Sequence, residues 1–105
     1  MNRTKRDDRR EKLVQRIRDW ATRMDVRVRA VTIRKMRRKW ASCSTAGRLT
    51  FDESLLSKSR KLQDYVIVHE LLHVTVPNHG KLWKSLMRAY LGDYERYEVE
   101  LRSKA

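Results

Sequence analysis

The sequence predicts an α+β fold in which a small antiparallel sheet of about three strands packs against several helices. Three changes in the spacing of apolar residues support this prediction. Apolar residues recur every three to four positions over residues 8–24, alternate over residues 26–51, and return to helical spacing over residues 54–101. A length of 105 residues corresponds to one domain, 1–105, in which we expect residues 1–7 to form a flexible basic tail.

The first predicted element is an amphipathic helix. Asp8, with Glu11 three residues later, has the spacing of a capping pair at a helix start. The apolar positions that share one face of this helix are Leu13, Ile17, Trp20, Ala21 and Met24. Because most of its arginines fall on the other face, we expect one side to pack on the core and the other to face water.

The predicted sheet follows directly. The alternation that begins at Val26 slips by one position near Ala30, which predicts a β-bulge there. A second strand region spans residues 37–44, and a turn at 45–47 leads into a third strand around Leu49. Consecutive strands joined by short turns favour antiparallel pairing.

The rest of the chain is predicted to be helical. Residues 60–76 are apolar almost all round, which is typical of a helix buried on most sides. Pro77 ends this helix, and Asn78 is expected to cap the next one. The apolar residues assigned to the inner face of that next helix are Leu82, Trp83, Leu86, Met87, Tyr90 and Leu91. Gly92 ends it, and Asp93 opens a short last helix.

The net charge of +13 is distributed unevenly. Residues 1–50 contain 17 Lys and Arg against 5 Asp and Glu, whereas residues 51–105 contain 9 against 8. A basic half beside a neutral half indicates contact with a polyanion, nucleic acid first, although a well-solvated surface gives the same composition. The residues predicted to contact phosphates are Arg27, Arg29, Arg34, Arg37 and Arg38.

No segment resembles a signal peptide, and no apolar run is long enough to span a membrane. Cys43 is the only cysteine, so an internal disulfide is excluded and a reducing compartment suits the chain. We therefore expect a soluble, cytoplasmic protein with no membrane partner.

All three histidines lie between positions 69 and 79. His69 and His73 are four residues apart on the predicted buried helix, so both imidazoles leave the same face and can reach one Zn²⁺. Glu70 projects about 100° further round the helix axis, away from the ligand pair but within reach of a water on the metal. His79, beyond the proline break, is the candidate third ligand.

Three histidine ligands would leave one zinc position open, which is typical of a catalytic rather than a structural site. A closed structural site would need a fourth donor, and Cys43 is the one further soft donor in the sequence. Histidines on a buried helix can also be core residues satisfied by hydrogen bonds. Burying three histidines and a glutamate in an otherwise apolar helix is costly without such a purpose, which favours the metal site.

The chemistry that fits an open site is hydrolysis. Zinc lowers the pKa of a bound water toward about 7 and polarises a carbonyl group. Glu70 is then predicted to accept the proton of the water and pass it to the leaving amine. The candidates for an additional donor to the developing oxyanion are Tyr65, Tyr90, Tyr94 and Tyr97, and the sequence does not choose among them.

Three segments resemble the YgjP-like metallopeptidases, relatives of the SprT-like zincins: residues 65–73 with His-Glu-x-x-His, residues 77–83, and residues 38–51 with Trp-Ala-Ser-Cys. The resemblance implies a zincin active-site helix at the sheet, one Zn²⁺ per chain and a peptide or protein substrate. It also implies His69, His73 and His79 as ligands and Glu70 as the base. Alanine replaces the glycine that the family usually has within its Trp-Gly-Ser-Cys segment.

Two alternatives stay open. Gluzincins use a later glutamate as third ligand, which would be Glu95 or Glu98 here, whereas Val76 stands where metzincins require glycine. The second alternative concerns function: a basic nucleic-acid-binding module whose zinc site is structural or relict. The two functions can coexist in a peptidase that acts on DNA-associated proteins, as some SprT-like relatives do.

Overall fold

The computed structural model describes residues 4–76 and 78–102. In chain order, the elements are α1 (Lys5–Arg23), β1 (Ala30–Arg34), β2 (Ala41–Cys43), β3 (Arg48–Asp52), a 3₁₀ turn (Glu53–Ser57), α2 (Arg60–Thr75), α3 (Lys81–Leu91) and α4 (Glu95–Leu101). The α+β class and the three-stranded sheet are therefore confirmed.

Helix α1 begins earlier than predicted. Thr4 caps it: the Asp7 amide donates to the Thr4 hydroxyl (3.1 Å), and the Thr4 amide donates to the Asp7 carboxylate (3.3 Å). This reciprocal pair satisfies two amides that the helix leaves open, as the Asp8–Glu11 spacing was expected to do one turn later. Residues 5–7 are thus helical rather than part of a tail, and residues 1–3 lie outside the described residues.

The sheet is mixed, not antiparallel throughout. The strand order is β1-β3-β2, with β2 antiparallel to β3 (Ala41 opposite Phe51) and β1 parallel to β3 (Val31 opposite Leu49). The chain reverses direction between β1 and β2 and again between β2 and β3. Strand β3 therefore runs parallel to β1 and lies between the other two strands. Alternating hydrophobicity fixes which face of a strand is buried, but not the direction of its neighbour, so the sequence prediction was wrong on this point.

The predicted bulge is instead the start of strand pairing. Residues 26–29 belong to no strand, and regular pairing begins at Ala30. The Arg29 amide donates to the Gly47 carbonyl (2.8 Å). Gly47 has φ +83°, and a Cβ at this position would lie 2.6 Å from the Arg27 carbonyl oxygen. Glycine is therefore required where the two segments approach each other.

Helix α2 is the centre of the fold and contacts β2, α1 and α3. Ser59 caps its start, and the helix ends at Thr75, one residue before the predicted end at Val76. Pro77, which was predicted to end it, lies outside the described residues. Its buried residues are Leu62, Gln63, Tyr65, Val66, Ile67, Val68, Leu71 and Leu72. A helix buried on so many sides holds its remaining side chains in fixed directions, which matters for the site that it carries. Within the described residues, no helix is long and apolar enough to cross a membrane.

The start of α3 differs from the prediction. Gly80, not Asn78, is the N-cap, because the chain at residues 78–80 is still non-helical. Leu82, assigned to the inner face, is 60% exposed, whereas Trp83 beside it is buried at 4%. Gly92 ends the helix as predicted, with φ +71°.

Helix α4 is short and lies on the surface of the core. It begins at Glu95, after Tyr94 rather than Asp93, and none of its seven residues is buried. Tyr94 itself is buried, and its ring stacks on Tyr65 with centroids 6.4 Å apart. The residue before the helix is therefore one of its anchors to the core.

Candidate metal centre

Helix α2 presents three chemically active side chains near its C-terminal end. His69 and His73 lie one turn apart on the same face, with ring centroids 4.8 Å apart. Glu70 lies between them in sequence, and its Oε1 is 3.6 Å from Nδ1 of His69. The Glu70 side chain is 15% exposed, and it lines a cavity beside the histidines.

His79 joins this pair from the segment beyond α2. Its Nε2 lies 3.3 Å from Nε2 of His73, and its ring centroid is 5.4 Å from that of His69. The potential ligand atoms of the three histidines all lie within 4.8 Å of one another. The non-helical residues 78–80 thus place His79 beside His69 and His73, as the sequence predicted.

The donor set fits a zinc ion. Two nitrogens held at about 2.0–2.1 Å from one tetrahedral Zn²⁺ are roughly 3.3–3.4 Å apart. The nitrogens of His73 and His79 already have this separation, at 3.3 Å. Imidazole suits zinc, and no fourth His, Cys, Asp or Glu of the described residues belongs to the cluster.

The environment keeps two of these imidazoles neutral. Burial lowers the pKa of His73, and the neighbouring His69 lowers it further. Burial is also the main cause of the lowered pKa of His79, followed by the charge of His69. A lowered histidine pKa favours the neutral ring at neutral pH, which is the form that binds a metal.

A cavity of about 540 Å³ opens beside the histidines. Its walls come from β2 and the residues before it, from α2, and from α4. The α2 residues that line it are Tyr65, Val66, His69, Glu70 and His73, and the α4 side contributes Glu98, Leu101 and Arg102. Glu70 can therefore be reached by a small molecule from this cavity.

A second cavity of about 360 Å³ lies towards α3 and contains His79. Tyr65, His69 and Glu98 line both cavities, so the histidine cluster stands between them. Helix α4 lines both cavities.

These features have counterparts in known proteins. A family model for the YgjP-like metallopeptidase domain matches residues 1–104. The chain belongs to the YgjP-like metallopeptidase family. It is therefore a metal-dependent peptidase domain, and its substrate class is peptide or protein.

Two solved structures resemble this YgjP-like domain in fold. The metallopeptidase zymogen jannalysin of Methanocaldococcus jannaschii aligns with a TM-score of 0.61 and 23% identity, covering 95% of this chain and 94% of the other. The metallopeptidase zymogen abylysin of Pyrococcus abyssi aligns with a TM-score of 0.65 and 22% identity, covering 90% and 92%. At this identity the likeness concerns the fold. A search of curated sequences finds no significant match.

The alternative third ligands lie apart from the histidine cluster of the YgjP-like domain. Glu95 is exposed and forms an ion pair with Arg88. Glu98 lines both cavities but does not belong to the cluster of potential ligand atoms among the described residues. The geometry thus favours His79 over a glutamate.

Cys43 lies in β2 on the opposite wall of the first cavity. Burial raises the pKa of its thiol, and the carboxylate of Glu70 raises it further. A raised pKa keeps the thiol protonated, which suits neither a metal ligand nor a nucleophile. Its Sγ donates to the Ser44 carbonyl (3.4 Å).

The four candidate tyrosines occupy different places, and Tyr97 packs against Tyr65 with ring centroids 6.3 Å apart. Tyr65 is the one tyrosine among the residues that line the first cavity with Glu70. Burial, followed by the charge of Glu98, raises the pKa of Tyr65, so its hydroxyl keeps its proton. Tyr94 lines only the second cavity, and Tyr90 lies beside Trp20, away from the histidines.

The predicted phosphate-contacting arginines are all exposed, and the structure spreads them along one stretch of chain. They are Arg27 and Arg29 before β1, Arg34 at its end, and Arg37 and Arg38 in the loop that leads to β2. This loop continues into Lys39, which lines the first cavity. The basic segment is therefore continuous in sequence with a wall of the cleft.

Trp83 was predicted from the sequence only as an apolar residue on the inner face of its helix. Its ring lies 4.1 Å from the ring of His79 and 4.6 Å from that of His73. The available signal was its spacing: Trp83 follows His79 by four residues, at the start of a helix. Spacing across a helix start is ambiguous, because contact depends on how the preceding residues turn.

Proposed function

We propose that this YgjP-like domain is a zinc-dependent peptidase that hydrolyses peptide bonds with Glu70 as general base. One Zn²⁺ per chain would be held by His69, His73 and His79. The observation that carries the proposal is the convergence of three imidazoles beside a cavity that also contains a glutamate. Three neutral donors leave one position of a four-coordinate ion for water or substrate.

Each protein group has a distinct part in the proposed reaction. When bound, zinc lowers the pKa of a coordinated water and polarises the scissile carbonyl. Glu70 accepts a proton from the attacking water and donates it to the leaving amine. Its carboxylate faces the cavity yet stays outside the ligand cluster, which leaves it available for proton transfer.

Tyr65 is the proposed donor to the oxyanion that develops on the scissile carbonyl. It lies one turn before His69 on α2, with its ring 5.7 Å from the His69 ring. It shares the first cavity with Glu70, and a protonated phenol can donate a hydrogen bond to a negative oxygen. Phenylalanine at this position should lower kcat and leave zinc content unchanged.

We further propose that α4 limits access to the site. Glu98, Leu101 and Arg102 form the α4 side of the cavity, so a bulky substrate must enter past this helix. The two similar solved structures are of metallopeptidase zymogens, which are latent forms. A movable C-terminal helix would give this chain a comparable latent form.

The test of the function measures metal content and hydrolysis on the same preparation. Purified protein should bind one equivalent of zinc and cleave an unfolded protein substrate, and a chelator should abolish the cleavage. His79→Ala should lose zinc at protein concentrations at which the wild type retains it. Full retention by this variant would reject the three-histidine site and redirect attention to Glu95 or Glu98.

A second candidate function is nucleic-acid binding by the basic segment. The supporting observation is that Arg27, Arg29, Arg34, Arg37 and Arg38 are all exposed and lead towards the cleft wall. A peptidase that acts on DNA-associated proteins would use both features. Zinc in this function would be structural or relict if no hydrolysis occurs.

Salt dependence tests this second function. If about five arginines neutralise phosphates, log affinity for duplex DNA should fall with log salt with a slope of about −4 to −5. Replacing Arg27, Arg29 and Arg34 together by Ser should flatten the slope by roughly two to three units. Zinc content should not change. No affinity at low salt would leave these arginines as a solvated surface.

A further inference from the structure

The three histidines share one aromatic neighbour. The indole of Trp83 lies parallel to the ring of His79, with centroids 4.1 Å apart and an interplanar angle of 16°. It also lies 4.6 Å from the ring of His73, tilted by 40°, and meets the ring of His69 edge-on at 5.1 Å. Trp83 is 4% exposed, so this contact is made from within the core.

The three histidines differ in how firmly the backbone holds them. His69 and His73 sit on a helix that is buried on most sides. His79 sits in the non-helical residues 78–80, and its side chain is exposed. A side chain in such a segment samples several rotamers unless another group restricts it. The stacked indole of Trp83 is the packed surface on which this ring rests.

The backbone supports the same arrangement. Trp83 lies in the first turn of α3, which begins at Lys81, two residues after His79. Its burial fixes the start of α3 against α2, because these two helices are in contact. The indole is therefore held by the core and is in contact with the imidazoles.

We propose that Trp83 is a positioning residue that holds His79, and through it the three-histidine cluster, in the arrangement that binds zinc. The inference rests on the proposed zinc site and adds a residue that lies outside the ligand set. An ordered ligand set binds a metal more tightly, because less side-chain freedom is lost on binding. Supporting groups around metal ligands typically change metal affinity by roughly tenfold to a hundredfold.

The first measurement is zinc affinity, by competition with a chromophoric chelator. Trp83→Met keeps much of the buried volume without a ring, and should bind zinc roughly tenfold to a hundredfold more weakly. Trp83→Phe retains a flat ring and should recover part of the loss. The matched control is Trp20→Met, because Trp20 packs edge-on against Tyr90 and touches no histidine of the cluster. This control should keep wild-type zinc affinity.

The signal in the second measurement comes from Trp83 itself, in a protein that keeps this residue. Trp20→Phe with Trp40→Phe leaves Trp83 as the one tryptophan. Cu²⁺, which imidazole sites also bind, is paramagnetic and quenches an indole in contact with its ligands. Binding of one Cu²⁺ should remove most of the Trp83 emission. The comparison protein carries Trp40→Phe with Trp83→Phe, so Trp20 is its one tryptophan. Binding of Cu²⁺ should change the Trp20 emission little.

The outcomes separate the inference from the proposed function. Wild-type protein that binds no zinc would reject the function, and the inference with it. Wild-type binding with an unchanged affinity in Trp83→Met would overturn the inference alone. If Trp83→Met does not fold, as judged by circular dichroism without metal, the fluorescence result decides. Unquenched Trp83 emission at saturating Cu²⁺ would then overturn the inference.

Discussion

Helices α2 and α4 both line the larger cavity, yet they are held in very different ways. Half of the sixteen residues of α2 are buried, whereas none of the seven residues of α4 is. The proposed chemistry is carried by α2, and α4 borders the entrance. Local stability follows buried contacts, so α2 should open only with the whole fold and α4 at lower free energy. Helix α2 is therefore expected to hold its side chains more rigidly than α4 does.

The sequences of the two helices explain the difference. Helix α2 has apolar residues on nearly every side, so the fold must surround it. Helix α4 contains Glu95, Arg96, Glu98 and Glu100 among its seven residues. A helix this short is not stable alone and depends on its packing. That packing comes from Tyr97 against Tyr65 and from the Trp40 indole N–H, which donates to the Leu101 carbonyl (3.2 Å).

The largest expected effect concerns the two glutamates that line the cavity. Glu70→Gln should lower kcat by roughly 10²–10⁴, because an amide cannot accept the proton of the water. Zinc content should stay at the wild-type level, since Glu70 lies outside the ligand cluster. Glu98→Gln, from α4, is the matched variant and should change kcat far less. Both are measured by steady-state cleavage together with metal analysis.

Two results would contradict this contrast between Glu70 on α2 and Glu98 on α4. Loss of zinc in Glu70→Gln would make Glu70 a ligand or a structural residue. Loss of zinc in Glu98→Gln would move a ligand onto α4, as the gluzincin alternative supposes.

The next effect concerns stability. Leu71→Ala removes a fully buried side chain from α2 and should lower the free energy of unfolding by about 2–5 kcal/mol. Val99 on α4 is 62% exposed, so Val99→Ala should change the free energy of unfolding by only about 0.5 kcal/mol or less. Urea unfolding in the presence of a chelator measures both without a contribution from zinc. Equal losses in the two variants would contradict the ranking of the helices.

The smallest effect tests whether α4 restrains access. Trp40→Phe keeps the ring in the cavity wall and removes the hydrogen bond to Leu101. One such bond contributes about 1 kcal/mol, so displacement of α4 should become roughly fivefold easier. Cleavage of a protein substrate should rise by up to this factor, with a smaller rise for a short peptide. Trp20→Phe removes a comparable bond to Asp64 and should not raise cleavage. No rise in Trp40→Phe would indicate an entrance that α4 does not limit.

The sequence predicted the parts of the fold that depend on local pattern. The helix over residues 60–76 was predicted within one residue, because its apolar run is a local pattern. The helix stop at Gly92 was predicted for the same reason. The grouping of His69 and His73 follows from helix geometry alone, and the position of His79 near them was predicted from a break in the helix.

The features that the sequence did not determine are long-range. Whether neighbouring strands are parallel depends on which strand lies between the other two. The residue pattern of β1 does not show that its neighbour β3 is parallel to it. The placement of α4 beside the cavity joins elements distant in sequence. The proposed choice of Tyr65 among four tyrosines and the contact of Trp83 with three imidazoles depend on how α2, α3 and α4 pack together. The sequence by itself therefore determined the chemical groups and the helix that carries them. Tertiary packing decided what surrounds those groups, because burial and contact depend on how all the elements fit together.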